Sequence, residues 1–278
     1  NLIDLVGTGG DGANLFNVST AAPFVAAAAG ASVAKHGNRS VSSSSGSSDA
    51  LDALGVCLNL TPEQIAECVV SIGVGFLFAP AHHSAMKHAI GPRRELAMRT
   101  LFNVLGPLTN PAFVQRQVLG VYDAALCEPL ANALRELGSI HALVLHSEDG
   151  LDEISIAAPT RGFELHHGAI NPIEIVPEMY GHAHDSLEGL QVATALESAT
   201  LIRAVLAGEP GSALRKARSI ITLNAGAGIY VSGKVPTLTE GVVAAEVAIT
   251  SGAAIEKLEA FAALTQELAR ASEEVSDR

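Results

Sequence analysis

Glu148, Asp149, Asp152 and Glu153 fall within six residues of one another. Hard carboxylate oxygens at this density suit Mg²⁺, an ion usually held by one or two carboxylates plus substrate phosphates. The same four residues also describe a solvated acidic turn. A second feature is an absence: between Asp11 and Asp49 there is no Asp or Glu, in a chain with 17 Lys+Arg, 29 Asp+Glu and a net charge of −12. That interval carries Lys35, His36, Arg39, two glycine-rich turns and many hydroxyls. Backbone N–H groups, a positive helix end, Ser/Thr donors and a lysine together describe a phosphate site. The competing reading is that alanine-rich helices and serine loops simply lack acids. An acid-free donor pocket and an acidic cluster in one chain together fit a phosphate ester bridged by a divalent ion.

Other motifs are weaker. Gly7, Gly9 and Gly12 satisfy G-x-G-x-x-G, but a dinucleotide site also expects an acid about 20 residues on. Here the second strand ends in Lys35. There is no G-x-x-x-x-G-K-[ST] loop and no G-x-S-x-G elbow. His82, His83 and His88, and also His182 and His184, invite a metal reading, yet no adjacent carboxylate or cysteine completes a ligand set. His166-His167 reads as a strand end. Cys57, Cys68 and Cys127 are scattered and odd in number, against a disulfide scaffold or zinc ribbon.

The elements that must position these groups alternate between strand and helix. Leu2 to Val6 reads as a buried strand running into GTGGDG, Gly7 to Gly12. Ser19 is read as the N-cap of an alanine-rich helix reaching Ala29. Ser32 to Lys35 is a second strand, and a helix starts near Asp49. Thr61, Pro62 and Gln64 form a capping-box start, and Phe76 to Phe78 is a third strand. The pattern predicts a helix over 82–103 broken near Gly91-Pro92, a strand at Gln117 to Val121, a helix at Leu126 to Leu137 and a strand at Ala142 to Leu145. Short strands are expected around Ile154 and Phe163, with helices from Ala193 onward. This predicts an α/β fold with a central, mostly parallel sheet flanked by helices.

With these residues in place, the chain resembles the anthranilate phosphoribosyltransferase family. The likeness lies in GTGGD (Gly7 to Asp11), NVST (Asn17 to Thr20), KHGNRSVSS with GSSD (Lys35 to Asp49), FLFAPAHHSAMKHAIGPRRE from Phe76, RTLFNVLGPLTNP from Arg99, DGLDE ending at Glu153, and LNAGAGIYVSGK. The resemblance implies transfer of the phosphoribosyl group of phosphoribosyl pyrophosphate (PRPP) to the amine of anthranilate, in tryptophan biosynthesis, with Mg²⁺. It implies that Gly7, Gly10, Asp11, Asn17, Val18, Ser19, Thr20, Lys35, His36, Gly37, Asn38, Arg39, Ser42, Ser43 and Ser47 hold PRPP. Ser19, Asp152 and Glu153 would hold the metal. Gly7, His36, Asn38, His83, Met86 and Arg93 would line the anthranilate path. No residue is assigned as acid or base, because the aromatic amine is already neutral near pH 7.

The chain departs from the family at Leu15, where a hydroxyl is usual, at Ser84 in place of Pro, and at Gly91-Pro92 before Arg93. It begins at Asn1, directly in a strand, without the helices that open the family pattern. The expected organisation is therefore an α/β domain over 1–80 and 106–278, with 81–105 the remnant of a small helical domain. Lower stability or altered self-association of a homodimer is expected. The acidic balance argues against nucleic acid and anionic membranes as partners, and the expected location is cytoplasmic. Two alternatives stay open: an enzyme like the pyrimidine-nucleoside phosphorylases, and a PRPP-binding scaffold with little turnover. A non-catalytic nucleic-acid binder is disfavoured by the charge and by Lys35, Asp152 and Glu153.

Overall fold

A computed structural model describes residues 1–38, 45–82 and 104–276. Arg39, Ser42, Ser43, His83, Met86 and Arg93, the departures at Ser84, Gly91 and Pro92, and nearly all of the helix expected over 82–103 lie outside the described residues.

Seven strands form one sheet in the order β3-β2-β1-β4-β5-β6-β7. β1 (Leu2–Gly7), β2 (Ser32–Gly37), β3 (Val74–Phe78), β4 (Arg116–Gly120) and β5 (His141–Ser147) pair in parallel. β6 (Thr160–His166) and β7 (Ala169–Ile175) continue the sheet in antiparallel fashion. This is the expected mostly parallel α/β fold. The winding reverses at β1: the chain moves outward through β2 and β3, then resumes at β4 on the other side of β1. At such a reversal the connections leave the two central strands in opposite directions, which opens a crevice at their carboxyl ends. Gly7, ending β1, pairs in register with Gly120, ending β4.

The helices are α1 (Val18–Ala28), α2 (Ser47–Ala53), α3 (Pro62–Ile72), α4 (Ala79–His82), α5 (Cys127–Glu136), α6 (Ala195–Leu206), α7 (Ser212–Val231), α8 (Leu238–Thr250) and α9 (Ala253–Ser276). Apolar residues circle α1 because it is covered on all sides: Ala21, Ala22, Phe24, Val25 and Ala26 are at most 1 % exposed. The Phe24 ring meets Phe261 of α9 at 5.9 Å between centroids. Burying a side chain of that size contributes about 1.5–3 kcal/mol. α7 lies close to β1, and a Cβ on Gly228 would press into the Leu5 side chain. The α3 capping box forms as expected: Thr61 Oγ1 accepts from Gln64 N at 3.3 Å and Gln64 Oε1 from Thr61 N at 2.9 Å.

The helix expected near Asp49 forms as α2, from Ser47. The expected strands change in two places. No strand forms around Ile154, which lies in the loop between β5 and β6. β7 was not expected, because Pro172 interrupts its pattern; as the outermost strand it tolerates a residue that cannot donate to the ladder. Among the described residues no single helix is long and apolar enough to cross a membrane.

Candidate active site

The turn after β1 leaves the sheet through Gly9, Gly10 and Gly12, at φ 68°, 81° and 77°, a region glycine enters without steric penalty. Thr8 N donates to the Gly120 carbonyl at 2.9 Å, and Thr8 Oγ1 accepts from Tyr122 N at 3.1 Å. The turn is thereby fastened to the end of β4. The acidic segment after β5 meets it in the crevice. Gly9 N donates to Asp152 Oδ2 at 2.6 Å, and Ser19 N donates to Glu153 Oε1 at 3.2 Å. Residues 143 and 134 positions apart in the chain are thus brought together. The paired glycines make the approach possible. A Cβ on Gly7 would collide with the Asp152 carboxylate, and one on Gly120 with the Asp152 backbone carbonyl.

The four acids divide into two kinds. Glu148 pairs with Arg161 at the surface, and Asp149 accepts from Ser155 Oγ at 2.5 Å. Asp152 and Glu153 face the turn. Burial, followed by the charge of Asp11, pushes the Asp152 carboxyl up to about 7. Burial, followed by the charge of Asp152, pushes Glu153 up to about 8. Lys35 acts against the shift at Glu153. Crowded, buried hard oxygens that resist ionising together are a donor set a divalent cation satisfies, and Mg²⁺ fits it.

Lys35 is 4 % exposed and donates from Nζ to the Leu5 carbonyl at 2.6 Å. Burial lowers its ammonium pKa, opposed by Asp4, Glu153 and Asp152. Asp4 is fully buried; burial pushes its carboxyl up to about 6 although Lys35, Asn110 and the His36 backbone all favour the charged form. Asn110 Nδ2 donates to Asp4 Oδ2 at 2.7 Å and to the Ala34 carbonyl at 2.9 Å, and His36 N donates to Asp4 Oδ1 at 3.3 Å.

Asn17, not Ser19, is the N-cap residue of α1, and Ser19 sits in the first turn. The Asn17 side chain does not cap the helix because it is engaged elsewhere. Its Oδ1 accepts from Ser45 Oγ at 2.9 Å and Ser198 Oγ at 2.7 Å, and its Nδ2 donates to the Ser45 carbonyl at 3.1 Å. Val18 and Thr20 are buried, and Thr20 Oγ1 has no hydrogen-bond partner among the described residues. Asp11 Oδ1 accepts from Ala13 N at 3.2 Å. At the end of β2, a Cβ on Gly37 would collide with Ser47 Oγ, which donates to the Asn38 carbonyl at 3.4 Å. His36 is buried at 5 % exposure. Gly7, Gly9, Ser19, Lys35, Asp152 and Glu153 therefore gather around one crevice.

Asp4, Asn110, Gly120 and Asn224 were not singled out by the sequence reading. Asn224, 4 % exposed within α7, accepts from Ile154 N at 2.9 Å and donates to the Ile154 carbonyl at 2.9 Å. It clamps the residue that follows Glu153. An amide in a stretch of alanine and glycine was the available signal. His182 Nδ1 and His184 Nε2 lie 3.2 Å and 3.0 Å from Ser219 Oγ, and His182 Nε2 lies 3.3 Å from Glu246 Oε2.

A profile of the glycosyl transferase family, a/b domain, matches residues 1–255. The anthranilate phosphoribosyltransferase of Saccharophagus degradans is 60 % identical over 258 residues, covering 93 % of this chain and 76 % of that protein. The one from Cellvibrio japonicus is 59 % identical over 267 residues, covering 96 % and 78 %. Among solved structures, anthranilate phosphoribosyltransferase from Thermus thermophilus superposes with a TM-score of 0.88 at 44 % identity, covering 95 % of this chain and 78 % of that one. The Saccharomyces cerevisiae enzyme in complex with PRPP and Mg gives 0.86 at 30 % identity, covering 96 % and 74 %. The chain belongs to the glycosyl transferase a/b-domain family and, within it, to the anthranilate phosphoribosyltransferases.

Proposed function

We infer that the chain transfers the phosphoribosyl group of PRPP to the amine of anthranilate, giving N-(5-phosphoribosyl)anthranilate and pyrophosphate. The observation that carries this is the meeting of Asp152 and Glu153 with Gly9 and Ser19 at the reversal of the sheet. The relatives support it: the yeast enzyme is described with PRPP and Mg, and also with 4-fluoroanthranilate.

Asp152, Glu153 and Ser19 would hold Mg²⁺, which supplies positive charge for the leaving pyrophosphate. The chain's own contribution begins with fixed donors. The N–H groups of the turn around Gly7, Gly10 and Asp11, and the α1 start at Asn17 to Thr20, present a positive helix end to phosphate. The KHGN segment, Lys35 to Asn38, brings a cation into the same crevice. Holding the neutral amine in line with the anomeric carbon and stabilising the departing charge are each worth several kcal/mol. Arg93 would grip the anthranilate carboxylate as a two-pronged donor, beside His83 and Met86. Arg39, Ser42, Ser43 and Ser47 complete the PRPP set.

The same proposal takes 81–105 as the remnant of a small helical domain. It includes a homodimer, neither nucleic acid nor membrane as partner, and a cytoplasmic setting, where both substrates are soluble. Sedimentation as a monomer at every concentration would remove the dimer. The function is tested by following loss of anthranilate fluorescence with PRPP and Mg²⁺; consumption that requires both is expected. No consumption by folded protein would overturn it. Arg93→Ala should raise the KM for anthranilate far more than that for PRPP, and equal increases would reject the role given to Arg93.

A further inference from the structure

A second group of ligating side chains lies at the other end of β5. His141 opens that strand and stands directly opposite His166 of antiparallel β6. Glu164, two residues before His166, shares its face of the sheet. One ligand atom from each of His141, Glu164 and His166 lies within 4.8 Å of the other two. His141 Nε2 is 2.9 Å from Glu164 Oε1, and Tyr230, in the last turn of α7, donates its hydroxyl to that same oxygen at 2.7 Å. The His141 and His166 rings stack at 4.1 Å between centroids, and Tyr230 packs edge-on against His141 at 4.7 Å. His141 is 2 % exposed and Glu164 20 %, so the group is walled on one side and open to water on the other.

We propose that His141, Glu164 and His166 form a second cation site, for a zinc-type transition-metal ion and not for magnesium. Two imidazole nitrogens with one carboxylate oxygen are a donor set zinc accepts, whereas Mg²⁺ selects oxygen. Three protein ligands leave the fourth tetrahedral position to water, on the open side. Zinc bonds of about 2.0–2.2 Å would replace the hydrogen bond between His141 and Glu164: with the His141 proton on Nδ1, that pair parts slightly to admit the ion, by small side-chain rotations. Tyr230 supplies the outer hydrogen bond that orients a ligating carboxylate. β5 places this cluster about 20 Å from the substrate crevice. A bound ion there would tie β5 to β6, with Tyr230 of α7 held against the site.

The test is calorimetric titration of the whole chain with Zn²⁺ in excess Mg²⁺, which occupies Asp152 and Glu153, with Co²⁺ absorption as the readout of geometry. One equivalent should bind, with tetrahedral cobalt bands and a zinc-dependent rise in thermal midpoint. His166→Ala and Glu164→Gln should each weaken binding at least about tenfold and abolish that rise. The Glu164→Gln side chain retains an oxygen to accept from Tyr230, so this variant keeps the test valid if the alanine variant misfolds. Absence of zinc binding, binding unchanged in the folded variants, or zinc displaced as Mg²⁺ is raised would each overturn the proposal.

Discussion

The Asn224 amide grips both backbone groups of Ile154, one residue beyond Glu153. Asn224→Leu would strand that buried N–H and carbonyl, at about 1–3 kcal/mol. It should also raise the Mg²⁺ concentration for half-maximal rate about tenfold or more, with little change in the KM for anthranilate; equal effects on both would make Asn224 merely structural. The raised carboxyls at Asp152 and Glu153 fix the sign of the pH dependence. Below about 7 a cation must displace protons from them, so Mn²⁺ binding followed by spin resonance should tighten as pH rises through about 7–8 and then level. Affinity independent of pH over that window would contradict the burial of the pair. Type and spacing marked Asp152 and Glu153 only as members of a cluster of four acids; the family resemblance separated them from Glu148 and Asp149 and pointed to Gly7. Asp4 and Asn110 were not legible: their bond joins residues 106 positions apart, and neither carries a motif of its own.

Among the elements, local signals were read best. The α3 start was legible because Thr61 and Gln64 satisfy one another within a single turn. The N-cap of α1 was misplaced because Asn17 gives its side chain to Ser45 and Ser198, a choice made by distant partners. β7 was hidden by Pro172, which only an edge position excuses. Gly120 carries an element-level prediction. It pairs with Gly7 where β1 and β4 end, and a Cβ there would strike the Asp152 backbone carbonyl. Gly120→Ala must therefore push the β5–β6 loop away from the glycine turn. Magnesium-dependent turnover should fall about 100-fold or more, since displacements near 1 Å have that effect, while far-UV circular dichroism stays native. Unimpaired turnover would mean the loop does not need this contact.

At the scale of the molecule, a sheet reversal sets Asp4, Asp152 and Glu153 against one buried lysine, with the charge of Asp11 added to the last two. Groups raised by burial favour the fold most when protonated. Their contribution is complete below the unfolded carboxyl values of 3.8 and 4.5 and is lost as pH rises through about 7 and 8. The ligand-free chain should gain stability when Asp152 becomes Asn, by about 5 °C in thermal midpoint near pH 8, while losing function, a familiar opposition at active sites. A drop in midpoint would show that the carboxylate is needed for folding. The parallel winding was legible from alternating strands and helices; the crevice at β1 and β4 was not, because strand order is set by pairing between distant segments.

The central claim is that the glycine turn and the Asp152–Glu153 pair grip one pyrophosphate through a divalent ion. Calorimetry of PRPP binding, with and without Mg²⁺, on the unmodified chain and on the double variant Asp152→Asn, Glu153→Gln, tests it most directly. Mg²⁺ should strengthen PRPP binding markedly in the unmodified chain and not in the variant. An equal magnesium effect in both would place the ion elsewhere and contradict the account.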